Sequence, residues 1–306
     1  MRVVLVLLQV LLAHADLHAV LMSGSAGYAN YRHHADTCHA YQLLKASGVE
    51  HIITMLYDNV AQDPENPFPG RLFNVPSTKL DPGVDVYQGT KKDYVGTTVN
   101  AANYLAVLAG NQSAVPPGHP VLQSGPNDRV FLAFFDHGGP GILGTPVAPP
   151  YITRTALLDT LELMYQKKMY KELIFYVEAC ESGSMFVGMP TNRNIYVVTA
   201  ANPTQSSWGD YCPATGSEPG TDWVYYNHSY REIQSCLGDT FSNQWMANLQ
   251  HFVAKNESLQ QQFQRVRAHT PTSNVSRYGD LLFDTESIRD FERRRLSTKS
   301  NCPTTE

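Results

Sequence analysis

The chain has 306 residues, of which 42% are hydrophobic and 17% charged, and a formal net charge of −5. That composition excludes a disordered or fibrous chain and fits one large globular domain with extensions. A mildly acidic balance with scattered lysines and arginines excludes a nucleic-acid footprint.

Residues 1–15 are expected to be a signal peptide: Arg2 gives the positive start, Val3 to Leu12 the apolar core, and Ala13-His-Ala15 an A-x-A cleavage site. This apolar core is too short to span a membrane, and no later stretch is long enough. Leu17 to Ser23 predicts a first strand that enters the glycine turn Gly24-Ser-Ala-Gly27. The alternation over Tyr31 to Ala46 predicts a helix closed by Ser47-Gly48. Ile52 to Tyr57 predicts a second strand. A long irregular region then runs from Asp58 to about Asn100, a length that points to function or to small local elements.

Asn100 caps a predicted helix through Leu108. Arg129-Val-Phe-Leu-Ala-Phe-Phe-Asp136 predicts a buried strand that delivers His137-Gly138. Thr153 caps a predicted helix to Met169, with Leu157, Leu161, Met164 and Tyr165 on one face. Leu173 to Val177 predicts another buried strand, and it stops at Glu178-Ala-Cys-Glu-Ser-Gly. Asn194 to Ala200 predicts one more strand, 201–238 a second long loop, and Thr240 to His269 two amphipathic helices. Strands alternating with helices, and strands with near-continuous apolar runs, predict a parallel sheet covered on both faces.

In such a sheet a cysteine at the carboxyl end of a strand faces the ligand crevice. Cys180 and His137 both occupy strand ends, as a thiol nucleophile and its base require. The plainer reading is a buried structural cysteine and a capping histidine. Gly138 weighs against it, because its N–H, with that of Cys180, can form an oxyanion hole. Five cysteines in a secreted chain leave at least one thiol unpaired. Cys212 and Cys236 flank a Gly/Pro/Ser-rich loop that a disulfide could staple; Cys38 falls inside a helix, Cys302 lies in a polar tail, and Cys180 is the natural free thiol. Sequons stand at Asn111, Asn227, Asn256 and Asn274. His34 and Cys38, at i,i+4 beside Arg32, His33, Asp36 and His39, invite a metal reading, but no second ligand pair has metal spacing. No metal and no cofactor are expected.

Several motifs occur together in order: Tyr31-Arg-His-His-Ala-Asp-Thr-Cys-His-Ala-Tyr-Gln42, Asp85-Val-Tyr-Gln-Gly89, Lys92-Asp-Tyr94, Asp136-His-Gly138, Tyr176-Val-Glu-Ala-Cys-Glu-Ser-Gly-Ser-Met185 and Thr199-Ala-Ala-Asn-Pro203. With them the chain resembles the legumains, the asparaginyl endopeptidase family of caspase-like cysteine peptidases, over about Leu17 to Asp280. The resemblance implies an α/β caspase-like three-layer sandwich: a mostly parallel six-stranded sheet with helices on both faces. It assigns Cys180 as nucleophile, His137 as general base, Gly138 to the oxyanion hole and Asn30 as the group that orients the histidine. Arg32, His33, Glu178, Ser206, Ser207, Trp208 and Asp222 are assigned to substrate binding, and Asp136 to a position that can cyclise to a succinimide. An asparagine side chain suits this set, its carbonyl taking a donor such as Arg32 and its NH2 taking acceptors such as Glu178 and Asp222.

Gly209, at the gatekeeper position, and Gly139-Pro140 resemble the hydrolytic members rather than the ligases. The Tyr211-Cys-Pro213 and Ser235-Cys-Leu-Gly-Asp239 pieces resemble the plant-type loop and support a Cys212–Cys236 bridge. The implied partners are protein and peptide substrates with exposed asparagine, and an inhibitory C-terminal segment or cystatin-like inhibitors; the implied place is a lysosome, a vacuole or outside the cell. Family zymogens continue into a helical prodomain after the junction matched by Tyr278-Gly-Asp280. The expected organisation is therefore a peptidase domain over 16–280 and a short polar tail over 281–306. A non-catalytic caspase-like module is the rival, and the presence of Cys180, His137 and Arg32 speaks against it.

Overall fold

The computed structural model describes residues 15–252 and 257–291. The signal segment up to residue 14, the Asn256 sequon and Cys302 lie outside the described residues. The elements, in order, are β1 (Leu17–Ser23), α1 (Tyr31–Ala46), β2 (His51–Met55), α2 (Ala101–Leu108) and β3 (Arg129–Phe135). Three two-residue strands follow, β4 (Gly138–Gly139), β5 (Ile142–Leu143) and β6 (Ile152–Thr153), then α3 (Arg154–Gln166), β7 (Glu172–Glu178) and β8 (Ile195–Thr199). The chain continues through β9 (Gly209–Asp210), β10 (Trp223–Tyr226), β11 (Ser229–Glu232), β12 (Gly238–Asp239), α4 (Thr240–Phe252), α5 (Leu259–Ala268) and β13 (Ser276–Gly279).

Six strands form the main sheet in the order β13-β8-β7-β3-β1-β2. All neighbours are parallel except β13, which runs antiparallel to β8 on the edge. The expected mostly parallel α/β sandwich is what the chain forms. Its physical basis is the apolar runs: every residue of β1 and β7 is buried, so each strand has a core on both faces. Val130, Leu132 and Phe134 pack with α2 and α3 on one side, and Phe131, Ala133 and Phe135 pack with α1, α4 and α5 on the other. The Asn100 and Thr153 side chains cap α2 and α3 as predicted, accepting from the Asn103 and Ala156 N–H groups.

Both long loops are packed. Val60, Ala61, Phe68, Leu72, Phe73 and Val86 of the first share a third core with Val224, Ile233 and Leu237 of the second and with Tyr31, Ala35 and Cys38 of α1. The second loop contains the β10–β11 hairpin, which the chain reading missed. Its turn is Asn227-His228, both at positive φ (46° and 63°), as a two-residue hairpin turn of the primed type demands.

The packed chain continues past residue 280. Phe283, Ile288 and Phe291 are buried in the same core as α4 and α5, Arg129 bonds Glu286 at 3.2 Å, and its guanidinium lies 5.4 Å from the Phe291 ring centre. Three apolar side chains spaced among polar ones dock residues 281–291 onto the domain, although the average composition of the segment reads as a solvated tail. The Tyr278–Asp280 junction is likewise held: Asp280 is buried and its N–H donates to the Ile195 carbonyl at 2.7 Å.

Candidate active site

β3 and β7 are hydrogen-bonded neighbours in the register Phe135↔Glu178, and the Asp136 N–H continues the ladder to the Glu178 carbonyl at 3.0 Å. Two residues further along each chain stand His137 and Cys180. A Cβ placed on Gly138 would lie 2.5 Å from the Cys180 carbonyl oxygen and 2.9 Å from the Ala179 Cβ. Only glycine therefore lets the backbone after the histidine close on the cysteine. A Cβ on Gly183 would lie 2.9 Å from the Asn202 carbonyl carbon, so the turn after Cys180 also seats against the 201–206 loop.

His137 is oriented by Asn30. The Asn30 Nδ2 donates to the Ala26 carbonyl at 2.9 Å, which turns its Oδ1 to His137 Nε2 at 2.8 Å. An acceptor at Nε2 places the proton there and leaves Nδ1 with its lone pair, the tautomer a base needs. The His33 ring meets the His137 ring edge-on, with centroids 5.1 Å apart. Burial and then the Arg32 charge push the His137 pKa down, so the ring is a neutral base over a wide pH range. The Cys180 Sγ lies 3.6 Å from the Ser207 carbonyl.

Beside this pair lies a cluster of charged groups. Arg32 Nε donates to Asp239 Oδ1 at 2.9 Å. His33 is buried and neutral: burial and the Arg32 charge hold its pKa well below the usual value. Its Nδ1 bonds Ser25 Oγ at 2.7 Å and its Nε2 faces Asp239 Oδ2 at 3.5 Å. Glu178 Oε2 accepts from the Ser242 N–H (3.0 Å) and hydroxyl (2.8 Å), while its Oε1 is buried without a hydrogen-bond partner. Burial, then the neighbouring Asp239, raises the Glu178 pKa to about 8. Asp136 is raised to about 7, chiefly by burial. Ser206 and Trp208 are exposed at the rim, Trp208 with 57% of its surface in solvent, and Ser207 is half-buried.

Asp222 makes its hydrogen bond elsewhere than to Arg32. It sits at the base of the β10–β11 hairpin, where its Oδ2 accepts from the Gln234 N–H at 2.6 Å and its Oδ1 is buried without a partner. The acid bound to Arg32 is Asp239, carried under Gly209 by the β9–β12 pairing. Asp239 closes the Ser235-Cys-Leu-Gly motif, which was the signal for it. His34 and Cys38, for which no metal role is expected, are both buried; among the described residues His33, Asp136 and His137 bring ligand atoms within 4.8 Å of one another. The His33 Nδ1 there is already engaged by Ser25.

The gatekeeper Gly209 packs closely: an added Cβ would meet Cys236 Sγ at 3.0 Å and Arg32 Cδ at 3.3 Å. The expected bridge is formed between Cys212 and Cys236, which leaves Cys38 and Cys180 free among the described residues. Asn111, Asn227 and Asn274 are exposed.

A family model described as the Peptidase C13 family matches residues 17–294. The chain is 43% identical over 281 residues to a vacuolar-processing enzyme beta-isozyme of Arabidopsis thaliana, covering 88% of this chain and 54% of that protein. It is 44% identical over 265 residues to a legumain of Canavalia ensiformis, covering 85% and 52%. The chain thus spans about half the length of the curated relatives it matches. Among solved structures, caspase-1 of Spodoptera frugiperda aligns with a TM-score of 0.49 at 8% identity, covering 87% of this chain and 86% of that one. The extent of the family match and the identity to these relatives together show that the chain belongs to the Peptidase C13 family.

Proposed function

We propose that the protein is a cysteine endopeptidase that cleaves after asparagine, and after aspartate at acid pH. One observation carries the specificity: a buried Glu178 oxygen with no protein partner lies in the same cluster as the Arg32 guanidinium. A carboxamide satisfies both, its carbonyl accepting from Arg32 and its NH2 donating to Glu178 in the ionised form that this bond and the Arg32 charge favour. A pocket whose acids outnumber its cations disfavours an ionised aspartate and accepts it once protonated.

In this reading His137 Nδ1 takes the thiol proton as Cys180 Sγ attacks the carbonyl carbon after asparagine. The oxyanion lies toward the Gly138 and Cys180 N–H groups. The same proton passes from Nδ1 to the departing amine, leaving a Cys180 thioester. Water then gives a proton to His137, attacks the thioester and releases the acid, and the thiol recovers its proton. Gly209 and Gly139 leave water an open approach, which favours hydrolysis over ligation by an amine. The vacuolar-processing enzymes among its relatives support a vacuolar location, or another on the secretory route. The test is a peptide with asparagine at the cleaved position, incubated with wild type and with Cys180→Ser. Cleavage at that bond by wild type alone supports the reading, and cleavage by both removes it.

A further inference from the structure

The hydrogen bonds beneath Arg32 do not close. Asp36, on α1, accepts from Asn74 Nδ2 at 2.6 Å through Oδ1, but its Oδ2 is buried without a partner. Asp239 accepts from Arg32 through Oδ1, and its Oδ2 too is buried without a hydrogen-bond partner. Asn74 brings the two together: the amide that bonds Asp36 also donates to the Leu237 carbonyl at 3.0 Å, two residues before Asp239. Two buried carboxylates cannot face each other both ionised, and neither can leave an oxygen unpaired without a desolvation cost. One proton removes both difficulties.

We propose that Asp36 is a positioning residue of the candidate specificity pocket: it shares a single proton with Asp239, and that proton fixes Asp239 against Arg32. Of the neighbouring donors, Arg32 on α1 is engaged with Oδ1, and His33 Nε2 stands 3.5 Å from Oδ2 without completing a hydrogen bond to it. Glu178 at the end of β7 and Asp136 after β3 are further acids, and His137 is oriented by Asn30. Behind Asp36 the orientation is settled. Asn74 Nδ2 also donates to the Leu237 carbonyl at 3.0 Å, and its Oδ1 bonds His39 Nδ1 at 2.6 Å. His39 Nε2 in turn bonds the exposed Gln250 amide at 3.0 Å. Asn74 thus presents a donor to Asp36, and the remaining Asp36 oxygen is the one aimed at the pocket. Burial, and then the Asp239 charge, hold the Asp36 pKa well above the usual carboxylate range.

With one proton the Arg32–Asp239–Asp36 unit is neutral, which suits an uncharged carboxamide. Loss of the proton sets two negative charges against one another and frees Arg32 and Asp239 to move, so substrate affinity falls as pH rises. The kinetic part of this inference rests on the asparaginyl peptidase reading; the proton does not.

Two measurements test it. The first uses infrared difference spectra of Cys180→Ser protein labelled with [13C]aspartate, with and without Asp36→Asn. A protonated aspartate carboxyl band at pH 6 that is absent from the Asp36→Asn spectrum is expected; identical bands in the two spectra would overturn the proposal. The comparison separates this pair from Asp136, which both proteins keep. The second is kinetic, on an asparagine peptide with otherwise native protein. Asp36→Ala is expected to raise KM about tenfold while kcat changes less than about threefold. Asp36→Asn, whose amide donates at every pH, is expected to lose the rise of KM toward alkaline pH. A purely structural role would lower Tm and leave the pH profile of Asp36→Asn like that of wild type, and that result sinks the proposal. If the wild-type protein cleaves no asparagine peptide, the peptidase reading fails, while the infrared band still decides the shared proton.

Discussion

Asn30 holds His137 through a 2.8 Å bond to Nε2 while its own amide is pinned to the Ala26 carbonyl. The bond does two things at once, setting the ring plane and choosing the nitrogen that carries the proton. Replacing Asn30 by alanine is expected to lower kcat by about tenfold to a hundredfold with KM nearly unchanged, because the base loses orientation and not substrate contacts. Steady-state kinetics on one asparagine peptide check this, and a change confined to KM would contradict it.

Asp239 and Asp222 separate the pocket from its scaffold. Asp239→Asn is expected to raise KM by at least about tenfold, since the Arg32 guanidinium loses its charged partner. Asp222→Ala removes the acceptor of the Gln234 N–H. It is expected to lower stability by about 1–2 kcal/mol and to leave kcat/KM within about threefold. Measuring both constants and Tm for the two variants decides it; the reverse pattern would restore Asp222 to the pocket.

Stability is expected to peak in the acid range, and the signs can be worked out group by group. Burial pushes the Asp136 pKa up to about 7 and that of Glu178 up to about 8. Their stabilising contribution is complete below the unfolded carboxylate values and is lost as pH rises through 7 to 8. His34 is pushed down to about 4 by burial, so the unfolded chain takes up a proton first and stability falls as pH drops from about 6.5 toward 4. Thermal melts of the Cys180→Ser protein are expected to show their highest Tm between about pH 4 and 6 and a decline by pH 8. Glu178→Gln should flatten the alkaline limb. A Tm that climbs steadily to pH 8 would contradict the assignment.

The Cys212–Cys236 bridge closes a sequence separation of 24 residues and also touches the pocket, since Cys236 packs where a Gly209 side chain would stand. A Cys212→Ser/Cys236→Ser double variant is expected to lose about 3 kcal/mol from the loop-closure term and to raise KM more than it lowers kcat. Chemical denaturation and steady-state kinetics read the two effects separately.

Much of this was legible in the sequence because the chemistry sits on the most regular elements. The apolar runs of β3 and β7 announced two buried strands, and Cys180 and His137 stand just past their ends, so strand pairing alone brings them together. Asp239 was harder. It lies far along a loop of more than thirty residues, and only the β9–β12 pairing carries it beneath Gly209. The choice between it and Asp222 turns on how that loop folds. Residues 281–291 were hidden for another reason: Phe283, Ile288 and Phe291 are too sparsely spaced to show a period, and they are recognised only by the core they enter. The Asp36–Asp239 pair has no sequence signal, since one carboxyl on a helix and one in a loop meet only in the folded chain.

The central claim is a thioester formed on Cys180 after an asparagine selected by a carboxamide pocket. Rapid quenching of wild type with two peptides that differ only in asparagine or glutamine at the cleaved position, followed by mass spectrometry, measures it directly. The account predicts an acyl adduct on Cys180 from the asparagine peptide alone, because the extra methylene of glutamine displaces its amide from Arg32 and Glu178. No adduct should form on Cys180→Ser. Equal turnover of the two peptides, or cleavage that survives the loss of the thiol, would contradict it.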